Sequence, residues 1–249
     1  MLPKKMRLWL GALCCMGLAL IFLSGCDNTS TSTPDSIKGS NTLATEVRSV
    51  VSFQGVIFNP AGIVNLTSGA TQRVSITVNE NLMEYITTTV NGGQLTIDVA
   101  PGVQIRDLNL TVDLTMTDLE NLEMNGAGNF YGKNLFQVDA AVLNLKGAGN
   151  ITLEIEADEL RSVLTGAGRI TLSGAATIHN IEIPGAGRLQ AFGLSTGTTD
   201  VSLSGSGKAE VLATQLLNVK ITGSGNIHYR GYPSITVEIT GSGSLIDDN

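Results

Sequence analysis

From Thr42 onward, apolar and polar residues alternate in short runs, the pattern of half-buried β-strands. VSITV (74–78), YITTTV (85–90) and LTIDV (95–99) are rich in Val, Ile and Thr. They are separated by Asn79-Glu80-Asn81 and Asn91-Gly92-Gly93, and Asn-Gly between two such runs is a hairpin or turn signal. No stretch beyond the N-terminal leader has the spacing of an amphipathic helix.

From Leu119 a repeat takes over. A Gly-small-Gly triplet begins at Gly126, Gly147, Gly166, Gly185, Gly205, Gly223 and Gly241, at intervals of 21, 19, 19, 20, 18 and 18 residues. Its second glycines are Gly128, Gly149, Gly168, Gly187, Gly207, Gly225 and Gly243. The positions four and two before each first Gly are apolar throughout, from Leu122 and Met124 to Val237 and Ile239, except at Ser162. Four residues after it stand Phe130, Ile151, Ile170, Leu189, Ala209, Ile227 and Leu245. Each unit therefore reads strand, corner, strand, with every second side chain on one face.

A unit of about 18–21 residues with two or three short strands suits one coil of a β-solenoid. The fold class predicted is all-β, a parallel β-helix whose coils stack about 4.8 Å apart, so that equivalent residues pile into columns. Residues 42–118 form an N-terminal β part that covers one end, and 119–249 form the repeat. Asp247 and Asp248 are placed to protect the far end by charge, since open strand edges invite aggregation. At the corners glycine is expected for two reasons: it permits φ > 0, and stacked corners leave no room for a Cβ. The middle residues (Ala127, Ala148, Ala167, Ala186, Ser206, Ser224 and Ser242) are expected in a tight interior.

The leader changes the picture of where the chain sits. Lys4, Lys5 and Arg7 precede an apolar run from Leu8 to Leu23, the pattern of a secretory signal peptide and short of the roughly 20 residues of a membrane span. Leu23-Ser24-Gly25-Cys26 resembles a bacterial lipobox, which implies cleavage after residue 25 and lipidation of Cys26. Residues 26–41, polar and Ser/Thr-rich, read as a flexible tether. Asp27 resembles the inner-membrane retention signal of some Gram-negative lipoproteins; outer-membrane or surface placement is the alternative. Cys14 and Cys15 would leave with the leader, and with Cys26 lipidated no thiol remains for a disulfide, a thiolate metal site or a nucleophile. Loss of Lys4, Lys5 and Arg7 takes the formal charge from −7 to −10. So acidic a chain lacks the clustered cations nucleic-acid binding requires, and its membrane contact is expected through the lipid.

The GAGNI and GSGNI units, with NENLMEYI and GGQLTIDV upstream, resemble the bacterial family described as putative auto-transporter adhesin, head GIN domain, over about Val47 to Leu245. That resemblance implies an envelope protein with a right-handed parallel β-helix and says little about ligand. Pro184 departs from the pattern, where other units have Asn, Lys, Thr or Ser. Lacking an N–H, it is expected outside the ladder or at a bulge.

Candidate chemistry is sparse. The triplet lacks the third glycine and following helix of a dinucleotide loop, and no Asp follows as calcium-binding nonapeptide repeats require. His179 and His228 lie in different coils, outside any metal-ligand spacing, and read as solvated strand residues. Glu154, Glu156, Asp158 and Glu159 are the one acidic cluster, read as a solvated turn rather than a catalytic carboxylate pair. No cofactor or catalytic residue is assigned. The residue after each triplet is Asn129, Asn150, Arg169, Arg188, Lys208, Asn226 and Ser244. Stacking would set Arg169, Arg188 and Lys208 in a column of like charge on an acidic protein. Such a column either pairs with acids such as Glu182 and Glu210 or binds a polyanion or acidic glycan. The reading is a lipid-anchored, non-catalytic binding module of the cell envelope, with an unknown glycan or envelope protein as partner. An envelope assembly protein, and third a polysaccharide-active enzyme, are the alternatives.

Overall fold

The computed structural model describes residues 36–249. The expected signal peptide, the lipobox-like segment with Cys26, Asp27 and the start of the expected tether lie outside the described residues. The described chain is a parallel β-solenoid with a mixed N-terminal end. Long strands Asn150–Leu164, Arg169–Ile183, Arg188–Leu203 and Lys208–Ile221 each run through most of a coil and pair in parallel with the next. No helix among the described residues is long and apolar enough to cross a membrane.

The register bears out the columns read from the repeat. Ile151 pairs with Ile170, Ile170 with Leu189, Leu189 with Ala209 and Ala209 with Ile227, and all five are buried. The column before the corner runs Leu145, Leu164, Ile183, Leu203 and Ile221, again buried. The parallel ladder also reaches further towards the N-terminus than the triplets do. Asn121–Met124 stacks on Gly55–Phe58, and Asn129–Gly132 on Ile63–Ser68. Phe58 and Phe130 meet edge to face at 5.8 Å, so aromatic rings fill this wider part of the core.

Beyond that coil the sheet turns partly antiparallel. Arg73–Asn79 pairs antiparallel with both Leu43–Arg48 and Leu110–Met116. Ile86–Asn91 and Gln94–Val99 form the expected hairpin, with Gly92 and Gly93 at φ 55 and 75. Asn79-Glu80-Asn81 is not a simple turn, because Glu80–Tyr85 winds into a 3-10 helix whose Leu82 is fully buried, plugging this end of the core. Residues 37–41, assigned to the tether from sequence, are instead held in place. Ile37–Lys38 pairs with Ile105–Arg106, and the Asn79 and Asn81 amides donate to Ser40 O and Lys38 O at 2.6 and 2.9 Å. The unit from residue 34 onward carries its own core, because every fully buried apolar residue described lies between Phe53 and Ile227.

The corners correct part of the glycine argument. None of the triplet glycines has a positive φ. What excludes a side chain is stacking alone: a Cβ on Gly147 would strike the carbonyl oxygen of Gly126, one on Gly166 that of Gly147, and one on Gly223 that of Gly205. The middle residues are also not interior; Ala127, Ala148, Ala167, Ala186, Ser206, Ser224 and Ser242 are all exposed. Pro184 lies just past strand Arg169–Ile183, as expected. At Met124, Leu145, Ile183, Leu203 and Ile221 the carbonyl of the preceding coil's last strand residue accepts two N–H groups, as Leu145 O does from Thr165 and Gly166; Leu164 O, opposite Pro184, accepts only from Gly185.

Candidate functional site

The post-triplet residues do form one outward column. Asn129, Asn150, Arg169, Arg188, Lys208, Asn226 and Ser244 pair in sequence across successive strands. The ladder closes each corner just before them, with Arg169 N donating to Gly149 O at 3.0 Å and Arg188 N to Gly168 O at 2.9 Å. The asparagines tie together, Asn150 Nδ2 donating to Asn129 Oδ1 at 2.7 Å.

The three cations divide. Lys208 is half-buried and pairs with Glu210 at 2.7 Å, as the pairing alternative expects. Glu182 instead pairs with Arg161, also at 2.7 Å. Arg169 and Arg188 are exposed, and no ion pair among the described residues reaches either. They flank a shallow depression of about 210 Å³ lined by Asn150, Gly168 and the exposed Ala148, Ala167 and Ala186. The small residues beside the column therefore leave a shelf bordered by two guanidinium-bearing side chains set about 4.8 Å apart at the backbone. Planar guanidinium forks suit carboxylate, sulfate or phosphate groups.

Other candidates sort differently. Glu154, Glu156, Asp158 and Glu159 are exposed, and neighbouring coils bind two of them: Gln137 donates to Glu156 at 2.8 Å and Asn180 to Glu159 at 3.0 Å. Glu156 and Asp158 border a long groove of about 670 Å³ that continues past Thr177 and Thr196 to Gln215. Among the described residues no three His, Cys, Asp or Glu side chains are placed to hold a metal ion.

Histidine overturns the solvated-strand expectation. His179 is fully buried inside the solenoid, in the column of Leu160, and its Nε2 lies 2.9 Å from the Oγ of Ser162, also fully buried. Burial lowers its pKa to about 3, so the ring is neutral. The pair is fully enclosed, and no acid among the described residues partners it. Its sequence signal was Ser162, the one polar residue in the apolar columns. His228 is half-buried, with Nδ1 3.0 Å from Asp248 Oδ2.

Comparison with known proteins agrees with this architecture. The family described as putative auto-transporter adhesin, head GIN domain, matches residues 52–233. A putative adhesin from Bacteroides fragilis superposes with TM-score 0.80 at 23% identity, covering 85% of this chain and all of its own. A putative lipid binding protein from Parabacteroides distasonis gives 0.72 at 26% identity, over 86% of this chain and all of its own. A putative adhesin from Parabacteroides merdae gives 0.70 at 23% identity with the same coverage. Among curated proteins none matches.

Proposed function

The chain belongs to the putative auto-transporter adhesin, head GIN domain family, and from that premise we propose that it is a non-catalytic, adhesin-like binding module of the bacterial cell envelope. It is anchored by a lipid on Cys26 and takes an anionic glycan or similar polyanion along the Arg169–Arg188–Lys208 column. One observation carries this reading: Arg169 and Arg188 stand in register on adjacent coils, exposed and without an ion-pair partner among the described residues, on a protein of net negative charge. Stacked like charges repel, and a bound polyanion relieves that repulsion. The lipobox-like Leu23-Ser24-Gly25-Cys26 supports the anchor.

The test is co-sedimentation of residues 36–249 with fractionated envelope polysaccharide, peptidoglycan and membrane protein, beside the variant R169S/R188S/K208S. Wild type is expected to pellet with one acidic glycan fraction at low salt, and the variant to stay in solution. Equal pelleting of the two, or pelleting with membrane protein alone, contradicts the glycan face. The second outcome supports the assembly reading.

A further inference from the structure

The two ends of the solenoid are finished differently. At the N-terminal end Leu82 of the 3-10 helix closes the core. In the last coil, strand Ser234–Ile239 continues the core columns, with Ile235 on Leu217, Val237 on Val219 and Ile239 on Ile221. Leu217, Val219 and Ile221 are buried, yet Ile235, Val237 and Ile239 are 40%, 50% and 42% exposed. Leu245, which continues the Ile227 column in the same coil, is half-buried. Core-type side chains thus stand uncovered in the last coil of the described residues. The anticipated charge guard does not reach them: Asp247 is engaged by Tyr229 and Asp248 by His228, on the other arm of the coil.

Among the described residues the backbone is unpaired there as well. Thr240 N donates to Ile221 O, so by alternation Thr236 and Glu238 turn their N–H and C=O groups to the preceding coil. Ile235, Val237 and Ile239 turn theirs outward. The residues that expose apolar side chains therefore also present free ladder groups.

We infer that this edge pairs with the same edge of a second copy, Ser234–Ile239 running antiparallel to its equivalent about a two-fold axis at Val237. In that register Val237 faces the partner's Val237 and Ile235 faces the partner's Ile239, each as a hydrogen-bonded pair. The apolar columns of the two cores then join. Charge and backbone select the register. Glu238, held by Lys220 at 3.1 Å, falls opposite Thr236. A shift of two in one direction sets Glu238 against the partner's Glu238, which repels. The same shift in the other direction brings Pro233, which has no N–H, into the ladder. Pairing of this edge with its own equivalent leaves neither copy's edge open, so the association closes as an isologous dimer instead of growing head to tail.

The test uses residues 36–249, which contain no cysteine. Sedimentation over a concentration series is expected to give monomer–dimer equilibrium. V237E sets like charges against each other on the axis and is expected to raise the dissociation constant by at least about a hundredfold. Its circular dichroism should be unchanged, because the side chain is half exposed in the monomer. V237C is expected to form a covalent dimer on mild oxidation, since hydrogen-bonded antiparallel pairs hold Cα atoms about 5.5 Å apart, within disulfide reach. E238C, facing Thr236, is expected to stay monomeric under the same oxidation. A monomer at every concentration, a dimer insensitive to V237E, crosslinking of E238C in place of V237C, or open-ended fibres would each overturn the inference.

Discussion

At the residue scale, stacking distance decides identity more than conformation does. Gly166 is glycine because its neighbour one coil back puts a carbonyl oxygen where a Cβ would sit. Gly166→Ala must displace backbone, and a loss of about 1–3 kcal/mol is expected in denaturant unfolding. Ala167→Ser, at an exposed station that already holds Ser206 two coils on, should change stability by less than about 0.5 kcal/mol. The triplets were legible from sequence as corners, but the φ > 0 argument was not needed, because coil contact alone forbids the side chain. The Ser162–His179 pair was half legible: the break in the apolar column was visible, its compensation was not. The partner lies 17 residues on, in the next coil, at a different column. His179→Leu strands a buried hydroxyl and Ser162→Val strands the imidazole, each costing about 1–3 kcal/mol. The double variant places aliphatic residues in columns already lined by Leu160, Leu217, Leu143 and Ile181, and is expected to be more stable than either single. The pair also sets a pH response. Neutral His179 in the native state, with its pKa lowered to about 3 against 6.5 unfolded, binds fewer protons than the unfolded chain between those values. Its contribution is whole above pH 6.5 and is lost as pH falls towards 3. Unfolding midpoints measured over that window should fall less steeply for the double variant than for wild type.

At the element scale, the coil strands were readable because one period of alternation recurs in every unit. The N-terminal strands were found too, but their direction was not. Antiparallel pairing of Arg73–Asn79 with two neighbours depends on long-range register, which alternation within one strand does not encode. The 3-10 helix escaped for a related reason: ENLMEY is too short for a helical period to show, and its role is to present one side chain, Leu82, to the open core. Leu82→Ala is expected to cost about 2–5 kcal/mol. Native-state hydrogen exchange should then show faster opening at the N-terminal end, with the Asn150–Ile221 strands little affected.

At the scale of the whole molecule, the repeat does two things. It piles aliphatic side chains into continuous columns that no single coil would bury, and it repeats outward positions at a fixed step. The second property turns three scattered residues of the sequence into one column, and the spacing of the triplets makes that column legible in the sequence. The division of its charges was not visible, because Lys208 takes Glu210 within its own strand while Glu182 takes Arg161. The most direct test of the ligand face is the affinity of residues 36–249 for a soluble acidic polysaccharide, polygalacturonate, at stepped salt concentrations, beside R169S/R188S and the triple serine variant. Exposed charge pairs contribute about 0.2–1 kcal/mol each. The face predicts binding that weakens as salt rises, a further loss with each cation removed, and about tenfold or more lost in the triple variant. Equal affinity of wild type and triple variant across the salt series would contradict it.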